Sequence, residues 1–214
     1  MSVTTARLAL AAGLILTAAA CSPPAKPVSD PRVDAVLERS RTTKATYAVY
    51  AWVRVERPNE DPTEEWSTEF HSGDKHRVET PAERVVADCA AETGKALTIA
   101  TGEMLEGPEF ARAACGVNSN KPFLEKAYVG SRETPTGRVD RIRLTDADLI
   151  RIYDIDQNGV IVGTTFKLRR ENNRTVLSVL KTVVESELPA SDMFDEASLQ
   201  RSVVPERYKV APET

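Results

Sequence analysis

Apolar and polar positions alternate strictly along much of this chain. In residues 46–57, Tyr47, Val49, Ala51, Val53 and Val55 fall on one side and Ala48, Tyr50, Trp52, Arg54 and Glu56 on the other. A period of two is the signature of a β-strand, here with one wholly apolar face. The same alternation predicts strands at 66–70, 75–80, 84–89, 95–101, 139–144, 149–155, 160–169 and 175–184. Turn chemistry separates them: Pro58-Asn59, Ser72-Gly73-Asp74, Asn158-Gly159 and Asn172-Asn173. Residues 33–39 carry helical spacing, with Val33, Val36 and Leu37 on one side after an Asp30-Pro31 start. Residues 102–130 mix Gly and Pro with two helix-like pieces, 109–114 and 123–129. Beyond the last long strand, 188–194 reads as a loop or short helical turn and 203–210 as a final edge strand. The pattern predicts an α+β domain over residues 32–214, a strongly curved antiparallel sheet with helices covering one opening.

Residues 1–20 stand apart from that pattern. Arg7 is the only charge before Lys26, and an uncharged run of Ala, Leu, Ile, Gly and Thr follows it. Such a run is too short to span a bilayer, which takes about 20 apolar residues, and it fits a secretory signal. The sequence Leu16-Thr17-Ala18-Ala19-Ala20-Cys21 resembles the lipobox of bacterial lipoproteins, with Ala18 where Leu is commoner. The resemblance makes 1–20 a signal peptide and Cys21 the lipidated first residue. Residues 21–31, rich in Pro, then form a tether between membrane and domain. Ser22 after the cysteine implies, by the same resemblance, an outer-membrane protein facing the periplasm. An ordinary signal cut after one of the alanines is the alternative.

Charge and cysteines narrow the function classes. A net charge of −4 with no basic block disfavours nucleic acid as a partner. Once Cys21 is assigned to lipid, Cys89 and Cys115 remain, and in an exported chain two such cysteines point to a disulfide. A metal pair or a reactive thiol is the alternative, without a CxxC motif to favour it.

Candidate chemistry is sparse. Asp154-Ile155-Asp156-Gln157-Asn158-Gly159 matches half of a calcium loop, but the twelfth position holds Thr165 where a glutamate is required. A hairpin turn explains it better. His71 and His76 could meet Asp74 around a metal, or simply be solvated on a turn. Asp146 with Asp148, and Glu185 with Glu187, pair carboxylates at strand ends where solvation suffices. Neither a G-x-S-x-G elbow nor a phosphate-binding Gly loop occurs. The expectation is a protein that is not an enzyme and takes no cofactor or metal.

The order of elements resembles the LolA/LolB family of periplasmic lipoprotein carriers and receptors. The residues that carry the resemblance are Val139-Asp140-Arg141-Ile142-Arg143-Leu144, the hairpin through Asp156-Gln157-Asn158-Gly159 into Thr164-Thr165-Phe166-Lys167-Leu168, and Leu188-Pro189-Ala190-Ser191-Asp192-Met193-Phe194. It implies an unclosed β-barrel with a helical lid, here 102–130, and an apolar interior for acyl chains. Tyr47, Val49, Ala51, Val53 and Val55, with Val176, Leu180 and Val184, are the expected cavity wall; an ordinary dry core would show the same pattern. The expected function is binding of a lipid or the acyl chain of a lipoprotein, by a monomer held to the membrane by its lipid anchor and possessing no catalytic residues. A non-catalytic interaction or sensing module, its core filled and its partner a protein, is the alternative.

Overall fold

The alternating segments pair with one another. The computed structural model describes residues 28–117 and 122–212, so the signal segment, Cys21 and the tether as far as residue 27 lie outside the described residues. The strands are β1 (Val28–Ser29), β2 (Tyr47–Val55), β3 (Thr63–Ser72), β4 (Lys75–Glu79), β5 (Glu83–Asp88), β6 (Thr93–Thr98) and β7 (Met104–Glu106). They continue as β8 (Glu125–Thr134), β9 (Gly137–Thr145), β10 (Leu149–Asp156), β11 (Ile161–Leu168) and β12 (Arg174–Glu185). Helix α1 (Pro31–Thr42) lies between β1 and β2, and α2 (Pro108–Ala114) between β7 and β8.

All twelve strands belong to one sheet, in the order β1-β8-β9-β10-β11-β12-β2-β3-β4-β5-β6-β7. Two antiparallel meanders, β2 to β7 and β8 to β12, therefore lie side by side and join at the β12–β2 seam. The edges β1 and β7 do not pair, so the sheet stays unclosed. Helix α1 starts where Asp30 and Pro31 predicted it: the Asp30 side chain accepts from Arg32 N at 3.0 Å.

Directly paired residues share a face, so the register assigns every side chain. One row across the sheet runs Val49, Glu69, Val78, Val85, Ala96, and the next runs Tyr47, His71, His76, Ala87, Gly94. Both helices pack on this inner face. Val33 and Val36 of α1 join Ile142, Leu144, Tyr153 and Ile155 in one buried cluster. Ala111 and Ala114 of α2 join Val85, Ala87 and Ala96 in another. Gly94 permits the second contact, since a Cβ there would lie 2.7 Å from Ala111 N.

The outer face of β2 to β5 is covered as well. Ala48, Tyr50 and Phe70 pack against Met193, Val203 and Val204 of the chain that follows β12. Beneath that cover lie Arg77 and Glu79, both with no exposed surface.

The structure departs from the sequence expectations at several elements, among them β1, which lies within the expected tether, and β7. Residues 123–129 contain no helix; β8 starts at Glu125 and pairs with β9 along its length. Among the described residues of 102–130, α2 is the helix, beside β7 and the start of β8. Residues 203–210 form no strand; a 3-10 turn at Glu206–Tyr208 follows Pro205 there. Val203 N is already engaged, bonding Glu79 Oε1 at 3.1 Å, and Pro205 has no N–H to give to a neighbouring strand.

Candidate ligand groove

Between the areas covered by α1 and α2, the inner face of β2, β3, β11 and β12 is left open. A cavity of about 340 Å³ lies there, within the range of small-molecule sites. Its lining runs from Tyr153 on β10 to Val78 on β4, and only a curved sheet brings those strands around one space. Val49, Ala51, Val53 and Val55 form one wall, Leu177, Val179 and Thr182 the next, and Phe166 and Thr164 the third. Ala113, Ala114 and Gly116, at and just after the end of α2, reach over it. The β3 side is polar, with Glu65, Ser67 and Glu69, so the space is aliphatic on its β2 and β12 walls and roofed at one side by small residues.

Four of the expected wall residues, Val49, Ala51, Val53 and Val55, line this cavity together. On β12 the expectation fails at two of three positions. Val53 pairs with Val179 and Val55 with Leu177, but the register shifts between Val179 and Lys181, and beyond the shift Ala51 pairs with Thr182 and Val49 with Val184. Leu180 is the extra residue of a β-bulge and is 49% exposed. The bulge reverses the alternation, so odd positions face inward before it and even positions after it. Val176 consequently falls on the outer face with Ser178. Val184 shares the face of Val49 and packs with Tyr47 and Val160, at the far end of the strand from Val53 and Val55.

That end is polar. The Tyr47 hydroxyl donates to Glu69 Oε1 at 2.9 Å, and His76 Nε2 lies 3.1 Å from the same oxygen. His71 stacks on Tyr47 with ring centroids 5.0 Å apart and donates from Nδ1 to Ala45 O at 2.7 Å. Both histidines are buried; they are not the solvated turn residues of the sequence expectation, because β3 and β4 pair them on the covered face. Asp74 takes no part, and instead bonds Lys44. Burial works against ionisation of Glu69, but the charge and contact of His76 and the Tyr47 hydroxyl outweigh it and hold the carboxyl below its ordinary value. Burial also pushes the Tyr47 hydroxyl up and the His71 imidazole down.

The remaining candidates lie outside this cavity. Cys89 and Cys115 have sulfurs 2.13 Å apart, at disulfide distance, and tie the end of α2 to the turn after β5. Asp156 caps its own hairpin turn, accepting from Asn158 N and Val160 N at 2.8 Å each. Asp146 is buried, not solvated as expected, and pairs with Arg151. Glu185 pairs with Arg207. Among the described residues no helix is long and apolar enough to cross a membrane.

No family model matches the chain, and no curated protein matches it. Solved structures give distant likenesses. An uncharacterized conserved protein from Thermus thermophilus is 14% identical, with a TM-score of 0.45 over 85% of this chain and 97% of that one. MucB is 11% identical, with a TM-score of 0.45 over 79% of this chain and 64% of its own. A LolA superfamily protein from Nitrosomonas europaea is 10% identical, with a TM-score of 0.39 over 78% of this chain and 99% of that one.

Proposed function

We propose that the inner groove binds one hydrophobic ligand, an acyl chain of a lipid or lipoprotein, in a protein held by lipid on Cys21 at the periplasmic face of the outer membrane. The aliphatic walls of Val49, Ala51, Val53, Val55, Leu177 and Val179 carry this reading, because they line one cavity beside the clusters buried under the two helices. Burying an acyl chain stabilises by about 0.8 kcal/mol per methylene, so a groove of this kind binds without any catalytic group. The protein is accordingly read as a carrier or receptor and not an enzyme.

The test is native mass spectrometry of the full chain bearing Cys21→Ser, isolated from a periplasmic extract. Extra mass matching fatty acid or phospholipid, released by organic solvent, is the expected result. The stripped protein should then take up a fluorescent fatty acid, and Ala51→Trp, which fills the groove, should abolish uptake. Clean protein mass with no uptake would discard lipid binding in favour of an interaction module with a filled core.

A further inference from the structure

A second cavity, of about 240 Å³, lies beside the groove between the end of α1, α2 and the inner face. It opens on Glu69, His76, Cys89 and Cys115. His76 is 3% exposed. Its Nε2 makes no well-formed hydrogen bond, although Glu69 Oε1 stands 3.1 Å away. One ring nitrogen of His76 and the two sulfurs all lie within 4.8 Å of one another. A buried imidazole and two half-buried sulfurs, facing a cavity, make a donor set suited to zinc.

We propose that the Cys89–Cys115 disulfide masks a zinc site, which forms when a dithiol reduces it. The disulfide takes two electrons and two protons from the dithiol, which itself closes to a disulfide. Zinc then binds both sulfurs as thiolates, displacing their two protons to solvent, and takes neutral His76 as its third ligand. Water fills the fourth position. The Cα atoms of the two cysteines are 5.6 Å apart, so side-chain rotation alone opens the sulfurs around an ion with Zn–S bonds of about 2.3 Å. Glu69 is the positioning residue: fixed by the Tyr47 hydroxyl at 2.9 Å, it takes the proton of His76 Nε2, 3.1 Å away, and so leaves Nδ1 to the ion, as carboxylates commonly orient metal-bound imidazoles through the other ring nitrogen. In the reduced protein the ion ties α2 to the end of β5, as the disulfide does in the oxidised one.

The full chain bearing Cys21→Ser, reduced with a phosphine and freed of metal, is the material for the test. Titrated with zinc against a chromophoric chelator, it should bind one equivalent, and the oxidised protein none. Cobalt(II) in place of zinc should produce thiolate-to-metal charge-transfer absorption. His76→Ala should lose the one-to-one complex, while Glu69→Gln should keep the charge-transfer band and weaken affinity by about 10- to 100-fold. Absence of the band in the reduced unsubstituted chain would overturn the proposal, whatever the folding of the variants. Zinc affinity unchanged by His76→Ala would overturn it as well.

Discussion

Arg77 and Glu79 form an ion pair, Nε to Oε1 at 2.7 Å, in which neither side chain has any exposed surface. Arg77 also donates to Met193 O at 2.6 Å and to Arg201 O at 3.0 Å, and Glu79 accepts from Ser202 Oγ at 2.8 Å. The pair thus supplies the polar partners for a segment that would otherwise cover the sheet with unsatisfied backbone. Removing Arg77 leaves Glu79 buried with only Arg84 Nε, 3.6 Å from Oε2, as a cationic partner, at a cost of about 3–5 kcal/mol. Arg77→Met should lose that much in urea denaturation, and Arg77→Met with Glu79→Gln should lose less, since no charge is left unpaired. A double variant as unstable as the single one would contradict this account.

The bulge at Leu180 separates two neighbouring residues by face. Val179→Asp places a carboxylate in the groove wall and should abolish fatty-acid uptake. Leu180→Asp alters an exposed side chain and should change stability by no more than about 0.5 kcal/mol, with uptake intact. Equal effects at the two positions would mean that the register of β12 differs from the one described.

Acid stability rests partly on two aspartates. Burial opposes ionisation of Asp140, yet Arg39, with the Tyr128 and Ser131 hydroxyls, lowers its pKa from 3.8 to about 2. Asp146 is lowered equally, to about 2, because the backbone N–H of Leu149 and the Arg151 guanidinium outweigh its burial. A carboxyl depressed on folding contributes fully above its unfolded pKa and loses that contribution as pH falls through the folded one. Each should contribute about 2 kcal/mol near neutrality, lost between about pH 4 and pH 2. Asp140→Asn and Asp146→Asn should each reduce the slope of unfolding free energy against pH in that window and leave it unchanged above.

The cross-link between Cys89 and Cys115 closes a loop with a sequence separation of 26. In the chain-entropy model such a loop contributes about 3.5 kcal/mol. Replacing both cysteines by serine should lower the unfolding free energy by that order, measured without zinc under oxidising conditions.

Helix α2 depends on the closeness of Gly94. Gly94→Val should push the backbone at Ala111 away, lower the melting temperature and raise hydrogen exchange in residues 108–114 before other parts of the sheet. Uniform destabilisation would show that the helix and β6 do not meet as described.

The meanders were legible because their strands alternate and their turns carry Gly, Asn and Asp. β8 was not: Glu125, Lys126 and Ala127 favour helix, and pairing to β9 overrides that preference. The groove wall on β2 could be read from one strand, whereas its counterpart on β12 could not, since no residue type marks the bulge at Leu180. Nothing local announces that His71 and His76 are covered or that Arg77 and Glu79 meet under residues 193–203. Those facts arise from contacts between segments far apart in the chain. A buried arginine two residues from a buried glutamate looks, in sequence, like any polar alternation.

The seam between β12 and β2 also sets an order of events. Every residue needed for the β2–β7 meander, α2 and the Cys89–Cys115 link lies before residue 116, while the groove exists only once β12 has docked against β2. Pairing across so long a stretch of chain carries a closure entropy that slows it relative to the hairpins on either side. The half that holds α2 can therefore be oxidised and locked while its partner strand is still unpaired. In that interval Val49, Ala51, Val53 and Val55 belong to an open edge, so the surface assigned to a ligand is also the one most in need of protection while the chain folds.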